Sequence, residues 1–252
     1  MPTRTLIVMM SALFALTVLA RAPASWLTGA LPDTVGCQSP SGTLWQGRCD
    51  PLRFQGGALE GVSWTLHAWP LLRGRADLDL RSTDVRAAGT AHLSLGMGGR
   101  LALQDLHADL PIDSGLLPLF PAGWNGQLQL GIDLLAFNAG RLLSIQGSIV
   151  ARTLAQRNPP MSLGSFELRF PPASAADTPG SARSAPITGV LRDLGGPLAV
   201  SGTLIIRDGN EYELTGLAQA RAEASADLAK AVEFLGPADE QGRRSFTVGG
   251  TL

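Results

Sequence analysis

The sequence predicts a mainly β protein in which an apolar amino-terminal helix precedes an antiparallel sheet domain with one short and one longer helix. Three observations support this fold class. Residues 6–20 form an uncharged apolar run, and many later segments alternate apolar and polar residues at period two. Glycine and proline, with 30 and 17 copies, separate these segments at short intervals, which is typical of antiparallel strands rather than βαβ units.

The apolar run Leu6–Ala20 predicts a membrane-spanning helix, because it contains no charge and is bracketed by Arg4 and Arg21. A spanning helix needs about 20 residues, so the predicted span includes the flank that ends at Leu27, with Arg21 reaching the membrane interface. We assign residues 1–27 to a cytoplasmic stub and transmembrane anchor, and residues 28–252 to a β-rich domain on the far side of the membrane.

A cleaved signal peptide is the alternative interpretation of the same run. Ala20-Arg21-Ala22 has the small residues of a cleavage site, but Pro23 follows it and disfavours the cut; a cut before Ser25 stays open. In both alternatives the remaining chain crosses a membrane, so its compartment is the same.

Cys37 and Cys49 are the two cysteines of the chain, and they bracket a Pro40-Ser41-Gly42 turn. In an oxidising compartment this arrangement predicts a disulfide, which stabilises the fold by about 3 kcal/mol in the chain-entropy model. Two free buried thiols are the alternative. A metal site is disfavoured, because no histidine near the two thiols completes a tetrahedral set.

Alternation and turn residues divide the rest of the chain. In Gly74–Leu80 the residues Arg75, Asp77 and Asp79 are expected to point outward, to solvent. The other predicted strands include Val62–Trp69, Gly89–Leu95, Gly99–Leu110, Gly126–Leu134, Leu142–Ala151, Ser162–Phe170, Ile187–Leu191, Leu198–Leu217 and Ser245–Leu252, with a hairpin turn at Asp208-Gly209. A short helix is predicted after Asp113 or Ser114, a flexible loop over residues 171–186, and a longer helix over Ser225–Leu235.

The composition excludes some function classes. The formal net charge is −1 and no basic stripe is present, which argues against nucleic-acid binding. No P-loop, G-x-S-x-G or H-E-x-x-H sequence occurs, so we expect neither an enzyme nor a cofactor. Asp105, His107 and Asp109 share one strand face, where a solvated surface is favoured over a metal site.

The carboxy-terminal strand is the predicted contact site. An edge strand exposes backbone groups that another strand can bind. Ser245–Leu252 is the candidate edge, and its partner-binding candidates are Ser245, Phe246, Val248 and Leu252.

Several short segments, in this order, resemble the type II secretion system protein N family of the bacterial general secretory pathway. They are the apolar amino terminus, Leu31-Pro32, Val35, Gly42–Gly47 (GTLWQG), Ala76–Leu80, Ala108–Pro111, Gly126–Leu130, Leu235–Pro237, Gly242-Arg243, Phe246 and Gly249–Leu252. Residues 171–186 are not part of this resemblance.

The resemblance implies a non-enzymatic, single-pass inner-membrane protein with a cytoplasmic amino terminus and a periplasmic domain. It also implies a strongly curved, AsmA-like sheet with an apolar groove. Two functions follow from it: contact with other inner-membrane secretion subunits, or binding of lipid in the groove. An apolar face open to solvent would favour lipid, whereas a face closed by the Ser225–Leu235 helix would favour a scaffold.

Overall fold

A computed structural model describes residues 3–29, 34–54, 57–112, 123–172, 186–207 and 211–251. Helices are few, and the longest is at the amino terminus. They are α1 (Thr3–Ala20), α2 (Ser25–Thr28), α3 (Ala68–Leu71) and α4 (Ala226–Glu233). Among the residues described, no helix has both the length and the apolar character needed to cross a membrane.

Strands make up most of the described chain after residue 34. In chain order they are β1 (Val35–Cys37), β2 (Pro40–Gly42), β3 (Gln46–Cys49), β4 (Leu52–Phe54), β5 (Gly57–Leu59), β6 (Val62–His67), β7 (Arg75–Ser82), β8 (Ala88–Gly96), β9 (Arg100–Pro111), β10 (Trp124–Asn138), β11 (Arg141–Gln156), β12 (Met161–Phe170), β13 (Ile187–Gly195), β14 (Leu198–Ile206), β15 (Glu211–Ala220) and β16 (Arg244–Thr251). The prediction of a mainly β protein is confirmed.

Thirteen strands form one antiparallel sheet, in the order β16-β15-β14-β13-β12-β11-β10-β9-β8-β7-β6-β3-β2. From β6 to β16, each strand pairs with the next one along the chain. The strands β1, β4 and β5 form a separate three-stranded sheet. The predicted antiparallel pairing is therefore confirmed.

Alternation along these strands gives the large sheet one apolar face and one polar face. The register carries apolar residues across neighbouring strands, as in the row Leu78, Leu93, Leu103 and Leu135. The apolar face continues to the carboxy-terminal strand through Leu128, Leu130, Ile132, Ile149, Phe166, Leu168, Phe170, Leu191, Leu204, Ile206, Leu214, Phe246 and Val248. The polar face carries residues such as Thr65, Asp79 and His92.

Bulges interrupt the register and bend the sheet. One lies between Thr90 and His92, opposite Asp105, whose φ is 50°. Another lies beside Gly147, where an added Cβ would be 2.7 Å from the Cα of Ile132. Bulges increase the local twist and bend a strand. Accordingly, Cα atoms of β12 and β14 come within 8 Å across β13, whereas two strand spacings in a flat sheet span roughly 9.5 Å.

The predicted strand Val62–Trp69 is too long. Strand β6 ends at His67, and Ala68 begins the helical turn α3. The reason is Pro70, whose nitrogen has no hydrogen to donate to a strand ladder but is tolerated in the first turn of a helix.

Asp77 is not solvated, contrary to the expectation that it points to water beside Arg75 and Asp79. It is 6% exposed. The Ser94 hydroxyl donates a 2.8 Å hydrogen bond to its carboxylate, and Arg75 Nε donates another at 3.2 Å. These partners on the polar face replace water around the charge.

The longer predicted helix, Ser225–Leu235, is present as α4, but it ends at Glu233, before the last apolar residue of the predicted stripe. Ser225 caps α4 by accepting a 3.2 Å hydrogen bond from the Leu228 backbone nitrogen. Leu228 and Val232 are buried, whereas Leu235 lies beyond the helix end and is exposed. The predicted short helix after residue 113, the hairpin turn at Asp208-Gly209 and most of the predicted loop 171–186 lie outside the described residues.

The segment after α1 is fixed against the hairpin of β2 and β3. The Ala24 backbone nitrogen donates to the Gly42 carbonyl at 3.2 Å, and the Leu44 nitrogen donates to the Ala22 carbonyl at 2.8 Å. Ala22 and Ala24 are both buried. This segment therefore lies along β2 as an additional short strand would.

Two tryptophans hold this junction. Trp45 Nε1 donates to the carbonyl of Leu19, near the end of α1, at 2.9 Å. Trp64 Nε1 donates to the Leu44 carbonyl at 3.1 Å. The Trp64 ring lies against the backbone of Gly47, where an added Cβ would overlap it. The GTLWQG segment thus joins α1 to the sheet, and its last glycine makes room for Trp64.

Cys37 and Cys49 form a disulfide with a Cα–Cα distance of 5.6 Å. Cys49 is buried in one cluster with Ala24 and Trp64. Since Cys37 belongs to β1 and Cys49 to β3, the bridge joins the small sheet to the large one.

Asp84 ties the β7–β8 connection to the segment before β6. Its carboxylate accepts hydrogen bonds from the Glu60 nitrogen at 2.9 Å and the Arg86 nitrogen at 2.8 Å, and it pairs with Arg86 Nη2 at 3.0 Å. The side-chain hydrogen bond from Arg86 is the main cause that lowers the pKa of Asp84 from 3.8 to about 2, against the opposing effect of burial.

We predict that the cysteines are bridged in protein isolated in its native compartment. Alkylation of denatured, unreduced protein should then label neither Cys37 nor Cys49, and reduction should lower the free energy of unfolding by about 3 kcal/mol. Mass spectrometry of the alkylated peptides measures the labelling. Alkylation of both thiols without reductant would contradict the prediction.

Replacing Asp84 with Asn should lower the free energy of unfolding at pH 7 by about 2 kcal/mol, because a charged acceptor of several hydrogen bonds is lost. The folded pKa is the lower one, so this stabilisation is present above the unfolded value near 4 and is lost as the pH falls toward 2. Denaturant titrations of wild type and Asp84→Asn should therefore converge at low pH. The exposed Asp109→Asn change is the control and should have little effect at either pH.

Candidate functional site

The carboxy-terminal strand β16 lies at one edge of the large sheet. It pairs with β15 along its whole length, from Ala218 opposite Arg244 to Glu211 opposite Thr251, without a bulge. It contains no proline, lysine or carboxylate, and Arg244 is its only charged residue. Sheet edges are usually protected by charges, proline, bulges or short length. Ala238 bridges the outer side of Arg244. Beyond that residue β16 has none of these devices, so it is an open edge among the residues that the structure describes.

Three of the four predicted contact residues lie on this edge strand. Ser245 and Val248 are exposed, and Phe246 is half-buried on the apolar face. The Phe246 ring lies over Gly216 of β15, where an added Cβ would be 2.8 Å from its Cζ. Phe246 therefore packs within the sheet, whereas Ser245 and Val248 are accessible. Leu252 lies outside the described residues.

Helix α4 fixes the start of this strand. Arg244 Nη1 donates a hydrogen bond to the carbonyl of Gly236, just beyond the helix end. Asp239 closes the turn between them, since its carboxylate accepts from the Arg243 nitrogen at 2.8 Å and from Arg243 Nε at 2.9 Å. These bonds outweigh desolvation and lower the pKa of Asp239.

The opposite edge of the sheet is closed. Strand β2 has three residues and begins with Pro40. The Ala22–Ala24 segment covers its outer side through the two backbone hydrogen bonds with Gly42 and Leu44. The sheet therefore has one short, covered edge and one long, open edge.

The apolar face is the second candidate surface. Its central members, such as Leu93, Leu103 and Leu135, are only half-buried. Helix α4 packs against this sheet at β12 and β15 and buries Leu228 and Val232 there. Eight helical residues are about 12 Å long, whereas thirteen strands span roughly 58 Å. The helix therefore covers a small part of the apolar face.

The polar face carries a group that the sequence does not reveal, formed by His67, Asp79 and His92. His67 Nε2 lies 2.7 Å from Asp79 Oδ2, and His92 Nδ1 lies 2.6 Å from Asp79 Oδ1. The hydrogen bond with His92, followed by that with His67, lowers the pKa of Asp79. These residues come together only through the pairing of β6, β7 and β8. The group could therefore have been predicted only from a correct register of these three strands.

This group borders a depression of about 650 Å³ on the polar face, with Asp105 at its rim. Asp105, His107 and Asp109 are exposed, and the bulge at Asp105 interrupts the alternation that the sequence predicts for them. Within the described residues, no group of three or more His, Cys, Asp or Glu side chains is arranged to hold a metal ion.

Comparison with known proteins places these features in a family. The family model for type II secretion system (T2SS) protein N matches residues 33–247. No solved structure matches the chain, so the expected likeness to AsmA-like proteins has no support from that comparison.

Three curated proteins with the name type II secretion system protein N resemble the chain over most of its length. The protein from Vibrio cholerae is 27% identical over 234 residues, which is 88% of this chain and 87% of its own. The Aeromonas hydrophila protein is 26% identical over 90% of this chain and 89% of its own. The Klebsiella pneumoniae protein is 27% identical over 95% of this chain and 92% of its own.

The family match covers β2 and the first half of β16, up to Thr247. The resemblance seen in the sequence is confirmed, and the chain belongs to the type II secretion system protein N family.

Proposed function

We propose that this chain is a non-enzymatic inner-membrane component of the type II secretion system. In this proposal it contributes to the export of folded proteins from the periplasm through contacts with other inner-membrane subunits of the system. The observation that carries the proposal is the open edge β16 at the far end of the sheet from α1.

An open edge favours binding by strand addition. Beyond the bridge between Ala238 and Arg244, the outward N–H and C=O groups of β16 have no partner strand among the described residues, so they can accept an added strand. Val248 adds an exposed apolar side chain to this edge, and the polar side chains of Ser245 and Thr247 occupy the other face of the strand. A partner strand would therefore find backbone groups along β16 and an apolar contact at its middle.

The closed edge supports the same function. The chain covers β2 with its own Ala22–Ala24 segment, so strand addition has a single available side among the described strands of the large sheet. A sheet with one available edge binds in one orientation and does not extend from both sides. This property suits a subunit that occupies a defined place in an assembly.

The proposed location follows from α1 and the disulfide. The side chains of Ile7, Leu13 and Phe14 on α1 are exposed and apolar, as expected for a helix in contact with lipid. The Cys37–Cys49 bridge suits an oxidising compartment such as the periplasm. We propose that residues 1–27, which extend beyond α1, form a single-pass anchor with its amino terminus in the cytoplasm and that the sheet lies in the periplasm.

A second candidate function, binding of lipid acyl chains, is favoured by the apolar face. Helix α4 leaves most of this face half-exposed, and an acyl chain would cover apolar side chains that water now contacts. No metal, nucleotide or nucleic acid is required by either function.

We predict that Val248→Asp weakens partner capture. A carboxylate at the open edge should oppose an added strand, and the loss of one cross-strand apolar pair, worth roughly 1 kcal/mol, should reduce the yield of crosslinked adducts about five-fold. The measurement is chemical crosslinking of the full chain in its native membrane, followed by identification of the adducts.

Val190→Asp is the matched control, because Val190 and Val248 are both 49% exposed but Val190 lies in the internal strand β13. This control should crosslink as wild type does. Equal yields from the two variants would contradict the role of β16. Recovery of phospholipid alone, without any secretion subunit, would favour the lipid-binding function instead.

A further inference from the structure

One end of the large sheet, which we call the Trp69 end, gathers four neighbouring connections. They are residues 43–45, 68–74, 97–99 and 139–140, which join β2 to β3, β6 to β7, β8 to β9 and β10 to β11. The register places them side by side. Gly74 lies so close to Met97 that an added Cβ would be 2.7 Å from the methionine Cε, and the Ala139 nitrogen donates to the Gly99 carbonyl at 3.0 Å.

Large apolar side chains project from this end into solvent. Trp69 is 69% exposed, and Leu72 and Met97 are each 78% exposed. They come from two connections that are in contact through Gly74 and Met97, so they form one apolar patch rather than scattered residues. Adjacent exposed apolar residues of this size mark an interaction surface.

The four connections are basic. Three exposed arginines lie there: Arg73 is within a connection, and Arg100 and Arg141 directly follow one. None of the four connections contains an aspartate or glutamate. A tryptophan and aliphatic side chains surrounded by arginines are typical of surfaces that rest in the headgroup region of an anionic membrane, where the cations meet phosphates.

Helix α1 leaves the sheet at this end. Trp45, in the connection 43–45, donates its indole hydrogen to the carbonyl of Leu19 near the carboxyl end of α1. Gln46 pairs with Thr65 of β6, two residues before the strand ends at His67, so this connection and α3 lie at the same end of the sheet. The apolar helix and the patch are thus close to one surface.

The opposite end carries charges of both signs. Exposed Phe234 lies there beside exposed Glu233, and the next turn contains Asp239, which is paired with Arg243. Val85, 99% exposed, belongs to the β7–β8 connection at that same end, between the paired Asp84 and Arg86. An anionic surface would therefore attract the Trp69 end more strongly than this one, which favours one direction of the sheet.

We propose that the Trp69 end rests on an anionic phospholipid surface, with Trp69, Leu72 and Met97 in the headgroup layer and Arg73, Arg100 and Arg141 on lipid phosphates. The inference deepens the proposed inner-membrane location and rests on it for the position of α1. In consequence the strands stand away from the membrane, with the opposite end of the sheet distal.

The test places an environment-sensitive fluorophore on Met97→Cys in the full chain, whose own cysteines are bridged. The protein is reconstituted into vesicles of equal parts phosphatidylglycerol and phosphatidylethanolamine. Emission should shift to shorter wavelength and be quenched by headgroup-labelled lipid. In vesicles of phosphatidylcholine alone, or with Arg100→Glu and Arg141→Glu together, both effects should be lost. Leu72→Cys is the second labelling site, used if Met97→Cys does not fold.

Val85→Cys is the control, since Val85 is also highly exposed but lies at the opposite end of the sheet. Its label should report water in every vesicle. Identical emission and quenching from the labels at 97 and 85 would overturn the proposal. Because β16 is not altered, partner capture through the open edge is measured separately, and its success or failure does not depend on this result.

Discussion

Trp64 lies against the bare backbone of Gly47, with Ala24 and the Cys37–Cys49 bridge packed around it. The rest of the architecture depends on this cluster. It holds the segment after α1 on β2, which closes one edge of the sheet, and it joins the small sheet to the large one through the disulfide. Any side chain at position 47 would displace the indole, and loss of a buried tryptophan side chain costs roughly 3–5 kcal/mol.

The large sheet extends from this cluster to β16, and its two edges, its two faces and the two ends of its strands differ from each other. The first edge is covered and the last, β16, is open; one face is apolar and half-exposed, the other polar. The ends of the strands also differ, since the exposed tryptophan and arginines lie near α1 and residues of both charges lie at the other end. The proposed function, binding through one edge while α1 holds the chain near a membrane, needs these differences.

The sheet could be predicted from the sequence because alternation and turn residues are local properties. The features that the sequence did not reveal depend on contacts between residues of different strands. The contacts of His67, Asp79 and His92 require the register of three strands, and the burial of Asp77 requires Ser94 from the next strand. The bulge at Asp105 breaks an alternation that nothing in the strand itself interrupts. The capped helix after Ser225 needed only residues close in sequence, and it is present in the structure.

We propose that β16 is the edge through which this chain contacts other subunits of the secretion system. The most direct test is hydrogen–deuterium exchange of the full chain in its membrane, with and without the other inner-membrane subunits. We expect the outward-facing amides within residues 244–251, which do not bond to β15, to exchange rapidly in the isolated chain and to become protected in the assembly. The Leu44 amide, which donates to Ala22 at the covered edge, should be protected in both states. Unchanged exchange along residues 244–251 on assembly would contradict it.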